Sequence, residues 1–471
     1  MKERMQNTSA NAHGCPQKDR TASEGYVGVQ TYMEIIEGEL VEMHFEGQGL
    51  MEQIIDFANL RTAYRQVVRN KGKGGVDGMD VNDLFTWCQS HIEDLRQSLM
   101  DGTFVPNPVR RVEIPKDNGK KRLLGIPTVI DRMVQQAVSQ VLSRIYEPQF
   151  SRTSYGFRPR RGAHDALREA RKNVTEGYKY AVDIDLERFF DTVNQSKLIE
   201  VLSRTIRDGR VVSLIHRYLR SGVMVHGVLL ATDEGTPQGG PLSPLLGNNI
   251  MLNELDKELE RRGLRFVRYA DDSIIFCKSK RAARRVSESI TAFIEKKLYL
   301  KVNREKTEVG SIIGMKYLGY SFYIMRGECR LSVHSKTYDK LRKKLKEATR
   351  RSNGMGYQGR KEKMHQIIRG WIEYFQLADM QTRLKAIDEW LRRRYCMCIW
   401  KAWKKCGTKV RNLIKCGIAA WQAYEWGNSS KKYWRIAKSP ILHQAISKEL
   451  LQKQGWPCLT DYHRLIVRVQ Q

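Results

Sequence analysis

Apolar residues take up helical spacing from Leu50 onward, and LMEQIIDFANLRTAYRQVV predicts one helix. The glycines and lysines of the following RNKGKGGVDGMDV predict a loop. In VRRVEIPKDNGKKRLLGIP two short strand patterns meet at Asp117-Asn118-Gly119, which predicts a basic hairpin. DRMVQQAVSQVLSRIYEPQF then sets Val134, Ala137, Val141 and Ile145 close to one helical face. After the loop SYGFRPRRGAHDA, a further helix leads to the strand YKYAVDIDL, and helices and strands alternate irregularly to about residue 325. That mixture predicts an α/β domain with an antiparallel sheet rather than a doubly wound one.

Beyond residue 335 the period becomes helical throughout. Tyr338, Leu341, Leu345 and Ala348 recur at a, d, a, d spacing; Ile368, Trp371, Ile372 and Phe375, then Leu384, Ile387, Leu391 and Tyr395, repeat the pattern. The last stretch, from about residue 425, is basic and carries Trp426, Tyr433, Trp434 and Trp456. At the other end, residues 1–48 are polar and then acidic, without strong periodicity; a mobile leader with a helix near its end is expected.

One segment breaks the apolar pattern. FVRYADDSIIF, residues 266–276, has strand signals on both sides of Asp271 and Asp272, so the two carboxylates fall at a hairpin tip. A polar turn explains one aspartate better than two, because adjacent carboxylates repel unless a cation lies between them. From this segment alone, a turn and a metal site both stand. A second strand, Ala181-Val182-Asp183-Ile184-Asp185, alternates so that Asp183 and Asp185 share a face, and it runs into LERFFDTVN, where Asn194 is placed to cap a helix. An aspartate at a strand end and a pair at a hairpin tip suit two-metal phosphoryl transfer.

Charge narrows the partners. Lysine and arginine number 82 against 52 acidic residues, a formal charge of +30, and so large an excess calls for a polyanion. No apolar run approaches the length of a bilayer span, and the first residues lack the apolar core of a signal peptide, so no membrane partner is expected. The nine cysteines are an odd, scattered set without a C-x-x-C pair, which argues against a disulfide framework and for the reducing cytosol. Cys396, Cys398, Cys406 and Cys416 cluster locally but without zinc spacing, and no zinc is expected.

The ordered blocks IPKDNGKKRLLGIPT (114–128), SYGFRP (154–159), DLERFFD (185–191), GTPQGGPLSPLLGN (235–248) and YADD (269–272) resemble those of the group II intron-encoded reverse transcriptases. LKVNREKTEV and YLGYSF look like the later blocks, and GWIEYF and LRRRYCMCIWKAWKK are similar to the family's thumb, the maturase or X domain. The likeness spans roughly residues 50 to 425. It implies an α/β right-hand polymerase fold, fingers and palm, followed by an α-helical thumb/maturase domain. The implied division is a leader at 1–48, fingers and palm at 49–330, thumb at 331–424 and a small basic DNA-binding region at 425–471.

Carried over position by position, the resemblance puts the catalytic triad at Asp185, Asp271 and Asp272, which with the backbone carbonyl of Ile184 or Leu186 hold two Mg2+ ions. Asp183 lacks a phenylalanine five residues on; Asp185 has Phe190. That ring is implied to exclude a ribose 2′-hydroxyl, with ordinary core packing the competing reading. Arg110, Lys116 and Arg122 match residues that clamp a deoxynucleoside triphosphate, and Gln238 matches a glutamine beside the incoming nucleotide. Arg158 is open between template contact and a structural ion pair. Lys340, Arg342, Lys343, Lys344 and Lys346, with Arg392, Arg393 and Arg394, are candidates for intron RNA, against a merely solvated basic face. The partners implied are group II intron RNA, an RNA template with its DNA primer, target DNA and dNTPs, in a bacterial cytoplasm or at its nucleoid. Leu123, Leu124 and Asn248 depart from the common pattern, and the paired cysteines and histidines of a nuclease are lacking, so no endonuclease domain is expected. Two other readings stand beside this one: an intron-independent retroelement or defence reverse transcriptase, and an RNA-binding splicing factor with little polymerase activity.

Overall fold

A computed structural model describes residues 31–36, 39–44, 49–115, 119, 121–237 and 239–470. Residues 1–30 of the expected leader, and the expected nucleotide ligands Lys116 and Gln238, lie outside them. The strands in chain order are β1 (Thr31–Ile36), β2 (Glu39–His44), β3 (Val109–Pro115), β4 (Lys121–Ile126), β5 (Tyr180–Ile184), β6 (Val223–Val225), β7 (Val228–Leu230), β8 (Arg265–Tyr269), β9 (Asp272–Cys277), β10 (Glu308–Ser311), β11 (Lys316–Tyr317), β12 (Tyr320–Met325) and β13 (Glu328–Val333). The chain divides into two compact units, one formed by the residues up to Ala166 with Val182–Cys277 and Arg281–Val309, the other by Leu167–Ala181, Lys278–Lys280 and the residues from Gly310 onward.

Where a helix was expected near the end of the leader, β1 and β2 pair as an antiparallel hairpin. Isoleucine, valine and tyrosine in these segments favour extended backbone, and Gly38 between them counts against helix.

In the first unit the expected helix from Leu50 is two helices, Leu50–Ile55 and Phe57–Asn70. Asp56 separates them because its carboxylate accepts from the amides of Ala58 (2.8 Å) and Asn59 (3.3 Å), an N-cap that starts the second helix. The Val129–Tyr146 helix is capped by Thr128 and buries Val134, Ala137, Val141 and Ile145 as predicted, but also Met133, Val138 and Leu142. It is a central helix, covered on more than its patterned face. One four-stranded sheet has the order β10-β5-β9-β8. The other, β4-β3-β6-β7, is mixed rather than purely antiparallel: β3 pairs with β4 antiparallel and with β6 in parallel, Val109 opposite Val223. More than a hundred residues separate β3 from β6, ample for the crossover that parallel pairing requires.

The second unit contains the sheet β11-β12-β13 and the helices Ser335–Ala348, Tyr357–Phe375 and Gln381–Ala402, followed by shorter ones. Its core is the predicted stripe, with Leu341, Leu345, Ile368, Ile372, Leu384 and Leu391 buried. Cys396 and Cys398 are buried in the last of these three helices, and burial pushes the Cys396 thiol up to about 12, the behaviour of a packed, unreactive thiol. Among the described residues no helix is long and apolar enough to cross a membrane.

Candidate active site and nucleic-acid surfaces

The two adjacent aspartates sit where strand pairing dictates. β8 and β9 are antiparallel with Tyr269 opposite Asp272, so Ala270 and Asp271 are the two turn residues. Tight hairpins need positive φ at the first turn position, a place normally given to glycine. Here Ala270 adopts φ 59°, which for a residue with a Cβ costs roughly 1–2 kcal/mol. Such a conformation persists only where the surroundings impose it.

Three neighbours impose it. Arg268, fully buried, donates from Nη1 to the carbonyls of Ala270 (3.0 Å) and Asn248 (2.6 Å). Its remaining nitrogens engage the buried Asp256 carboxylate, Nε to Oδ1 at 2.7 Å and Nη2 to Oδ2, so the charge is compensated. The third neighbour is the SYGFRP block, which runs alongside β8: the Tyr155 amide donates to the Arg268 carbonyl (2.9 Å) and the Arg268 amide to Thr153 (3.0 Å). Gly156 lies so close that a Cβ there would stand 2.2 Å from the Ala270 nitrogen. Arg158 in the same block is a structural ion-pair partner, its buried fork on Glu147 (2.8 Å) and on the carbonyls of Ser151 and Ser154. Arg268 and Asp256 were not legible as site residues, because the sequence signal is only an arginine within an apolar strand and its partner lies twelve positions away in the Leu252–Arg261 helix.

Asp185 directly follows β5, the sheet neighbour of β9, whose first residue is Asp272. The segment 301–307 straps the strand end: the Asn303 amide donates to the Asp185 carbonyl (2.8 Å) and the Glu187 amide to Lys301 (2.8 Å). These bonds form the bridge that sets Leu186 opposite Val302 and do not use the Leu186 carbonyl itself. Lys306 completes the strap, its Nζ 2.9 Å from Asp185 Oδ2. This lysine was missed in the sequence, where it stands as one cation among many. The donor set, carboxylates on neighbouring strands, has the oxygen chemistry of a hard divalent cation. Among the described residues no three acidic, histidine or cysteine side chains converge as a ready-made cage, and an ammonium takes up one oxygen of Asp185.

Phe190 lies in the short helix Phe189–Thr192, nearly buried and edge-on to Phe189 (5.2 Å, 65°). Gly247 faces both rings, and the Phe190 carbonyl accepts from the Thr236 amide (2.7 Å). The glycine-rich block that follows passes close to the fingers: at Gly239 (φ 131°) a Cβ would stand 2.3 Å from the Gly125 carbonyl of β4. The block then enters the π-helix Pro244–Met251. On the basic hairpin, Arg110 pairs with Ile126 and Arg122 with Ile114, so both arginines share one face, about 13 Å apart along the strand. Arg110 is held from behind, donating Nη2 to the Gly74 carbonyl (2.7 Å).

In the second unit Lys340, Arg342, Lys343, Lys344 and Lys346 are exposed on the Ser335–Ala348 helix, with Arg342 over the Trp390 ring at 5.3 Å. The arginine triplet, also a candidate for RNA, makes contacts within the protein. Arg392 donates to the carbonyls of His443 (2.7 Å) and Ile446 (3.2 Å). Arg393 lies 3.9 Å from the centre of the Trp434 ring and donates to its carbonyl, and the buried Arg394 binds Thr349 and the Lys346 carbonyl. Arg394 is buried and Arg392 and Arg393 are half-buried, and the forks satisfy protein carbonyls that packing partly shields from water.

These elements belong to a reverse transcriptase, an RNA-directed DNA polymerase. The reverse transcriptase (RNA-dependent DNA polymerase) family model matches residues 114–322, and the group II intron, maturase-specific domain matches residues 338–417. Protein YkfC of Escherichia coli (strain K12) is 33% identical over 328 residues, 60% of this chain and 86% of that protein. The group II intron-encoded protein LtrA of Lactococcus lactis subsp. cremoris is 34% identical over 333 residues, 56% of this chain but only 55% of that longer protein. A solved partial Cas6-RT-Cas1–Cas2 complex is 25% identical over 55% of this chain and 47% of its own, with a TM-score of 0.35. The chain belongs to the family of reverse transcriptase/maturases encoded by group II introns. Its partners are accordingly nucleic acids.

Proposed function

We propose that this protein copies RNA into cDNA and assists the splicing and retrohoming of a group II intron RNA. The observation that carries the polymerase reading is the strained Ala270–Asp271 turn, held by a buried ion pair beside the strand that ends in Asp185. Asp185, Asp271 and Asp272, with the backbone carbonyl of Ile184 or Leu186, would hold two Mg2+ ions, which activate a primer 3′-hydroxyl and neutralise departing pyrophosphate. Lys306 keeps the Asp185 carboxylate oriented and its charge compensated. Arg110, Lys116 and Arg122 bind the triphosphate, for which the arginine forks provide bidentate contacts. Gln238 borders the incoming nucleotide in this reading. The protein should extend a DNA primer on an RNA template with dNTPs, and removal of divalent cations by a chelator should stop it; extension that survives the chelator would exclude this chemistry.

Phe190 discriminates against ribonucleotides in this reading. Replacing Phe190 with Val should raise ribonucleotide incorporation relative to deoxynucleotide incorporation at least tenfold, since the smaller side chain makes room without touching a carboxylate. Unchanged discrimination in a folded variant would assign the ring to the core beside Phe189.

Intron RNA engages the exposed basic helix. Reversing Lys343, Lys344 and Lys346 to glutamate should weaken intron binding and make it less salt-dependent, because fewer counterions are released. Titrations across a salt series measure this; an unchanged slope would place the RNA surface elsewhere.

A further inference from the structure

In the second unit a cleft of about 990 Å3 opens between residues 350–353, the end of the Gln381–Ala402 helix and residues 429–434. Six cations line it: Arg350, Arg351, Arg394, Lys409, Lys431 and Lys432. Among the described residues lining it there is no carboxylate, so nothing inside offsets their repulsion. Four of the cations lie on aromatic faces instead, Arg351 over Tyr433 (5.2 Å), Lys409 over Trp400 (4.9 Å), Lys431 over Trp426 (4.4 Å) and Arg394 over Trp390 (5.3 Å). Arg394 is bound to Thr349 and the Lys346 carbonyl, so the cations left to meet a ligand are Arg350, Arg351, Lys409, Lys431 and Lys432. An anionic ligand would offset their repulsion. Trp434, 38% exposed with Arg393 against one face of its ring, adds an aromatic wall, and Ser352, Asn353, Ser429 and Ser430 add neutral hydrogen-bonding groups. The volume is that of a small-molecule pocket, wide enough for one or two nucleotides and too small for a duplex.

We infer that this cleft holds one or two nucleotides extruded from single-stranded RNA, their phosphates on the cations and a base against Trp434. The chemistry is that of a stacking platform inside an electrostatic funnel, the combination that binds unpaired bases. The assignment to RNA rests on the maturase reading, because four of the lining cations, Arg350, Arg351, Arg394 and Lys409, fall in the stretch matched by the maturase-specific domain. The basic helix at 340–346 offers phosphate contacts alone. This cleft adds selection for single strands.

The test uses the full chain, an unstructured single-stranded RNA 15-mer, the corresponding RNA duplex and a single-stranded DNA of the same sequence. Lys431→Glu with Lys432→Glu, both at exposed positions, should reduce single-strand RNA affinity at least tenfold and the salt slope by about 1.4, while duplex affinity changes less than threefold. Trp434→Ala should reduce single-strand affinity at least fivefold with the salt slope unchanged, and Trp434→Phe should restore it. Primer extension on a preformed RNA–DNA primer–template should be unchanged in the lysine variant, and Asp271→Ala should bind the 15-mer normally, so failure here is distinct from failure of the polymerase reading. Equal loss of duplex binding, or wild-type affinity in the lysine variant, would overturn the site. Single-stranded DNA bound as tightly as RNA would overturn the assignment to RNA. If Trp434→Ala does not fold, the lysine variant decides.

Discussion

Asp271→Ala should lower DNA synthesis by a factor of a thousand or more while leaving primer–template affinity within a fewfold of wild type. The turn's geometry explains why the two effects separate. The strained residue is Ala270, and the bonds that hold it go to its backbone and to Arg268, so truncating the neighbouring side chain leaves the support intact. What disappears is one carboxylate of the proposed metal-binding set, and losing a ligand that positions a catalytic cation removes several kcal/mol of transition-state stabilisation. Asp185→Asn should behave alike. Its side-chain oxygen can still accept from Lys306, so the strap at 301–307 is retained while the negative charge is lost. Single-turnover extension alongside binding titrations measures both quantities. Near-normal extension by either variant would remove these aspartates from the chemistry.

Arg268→Met is expected to destabilise the first unit by about 3–5 kcal/mol, because it leaves Asp256 buried without its countercharge. A second substitution separates packing from positioning. With Asp256→Leu added, no uncompensated charge remains, and much of the stability should return. Activity should not return with it: the Ala270 carbonyl still lacks its donor, and the turn is free to relax from φ 59° and carry Asp271 out of place. The double variant should therefore melt near wild type yet synthesise DNA at least tenfold more slowly, with a raised requirement for magnesium. If both stability and rate recover, the ion pair is packing alone and the turn holds itself. Denaturant unfolding and magnesium titrations of the rate measure the two outcomes.

Much of this protein was determined by the order of its residues. Helical stripes such as Leu341–Leu345 and Ile368–Ile372 follow from burial at a period of 3.6, and the Asn194 cap, accepting from the Lys197 amide at 2.8 Å, follows from local chemistry. The hairpin with its two aspartates, the third aspartate at a strand end and the family itself were all legible there, since each depends on neighbours a few positions apart. Elsewhere local pattern was outvoted. The helix from Leu50 broke because one capping carboxylate gained more at a helix start than within a continuous helix, and the segment at 31–44 paired as strands. Tertiary structure alone decided which charges are spoken for. Arg268 stood as an ordinary cation within a strand and Arg394 as a candidate for intron RNA, yet each is buried where backbone carbonyls and, for Arg268, a distant carboxylate must be satisfied. Lys306 meets Asp185 across 121 positions. Sequence fixes the spacing of polar groups along a strand or helix, but desolvation depends on what packs against them, and only the folded chain brings those partners within hydrogen-bond reach.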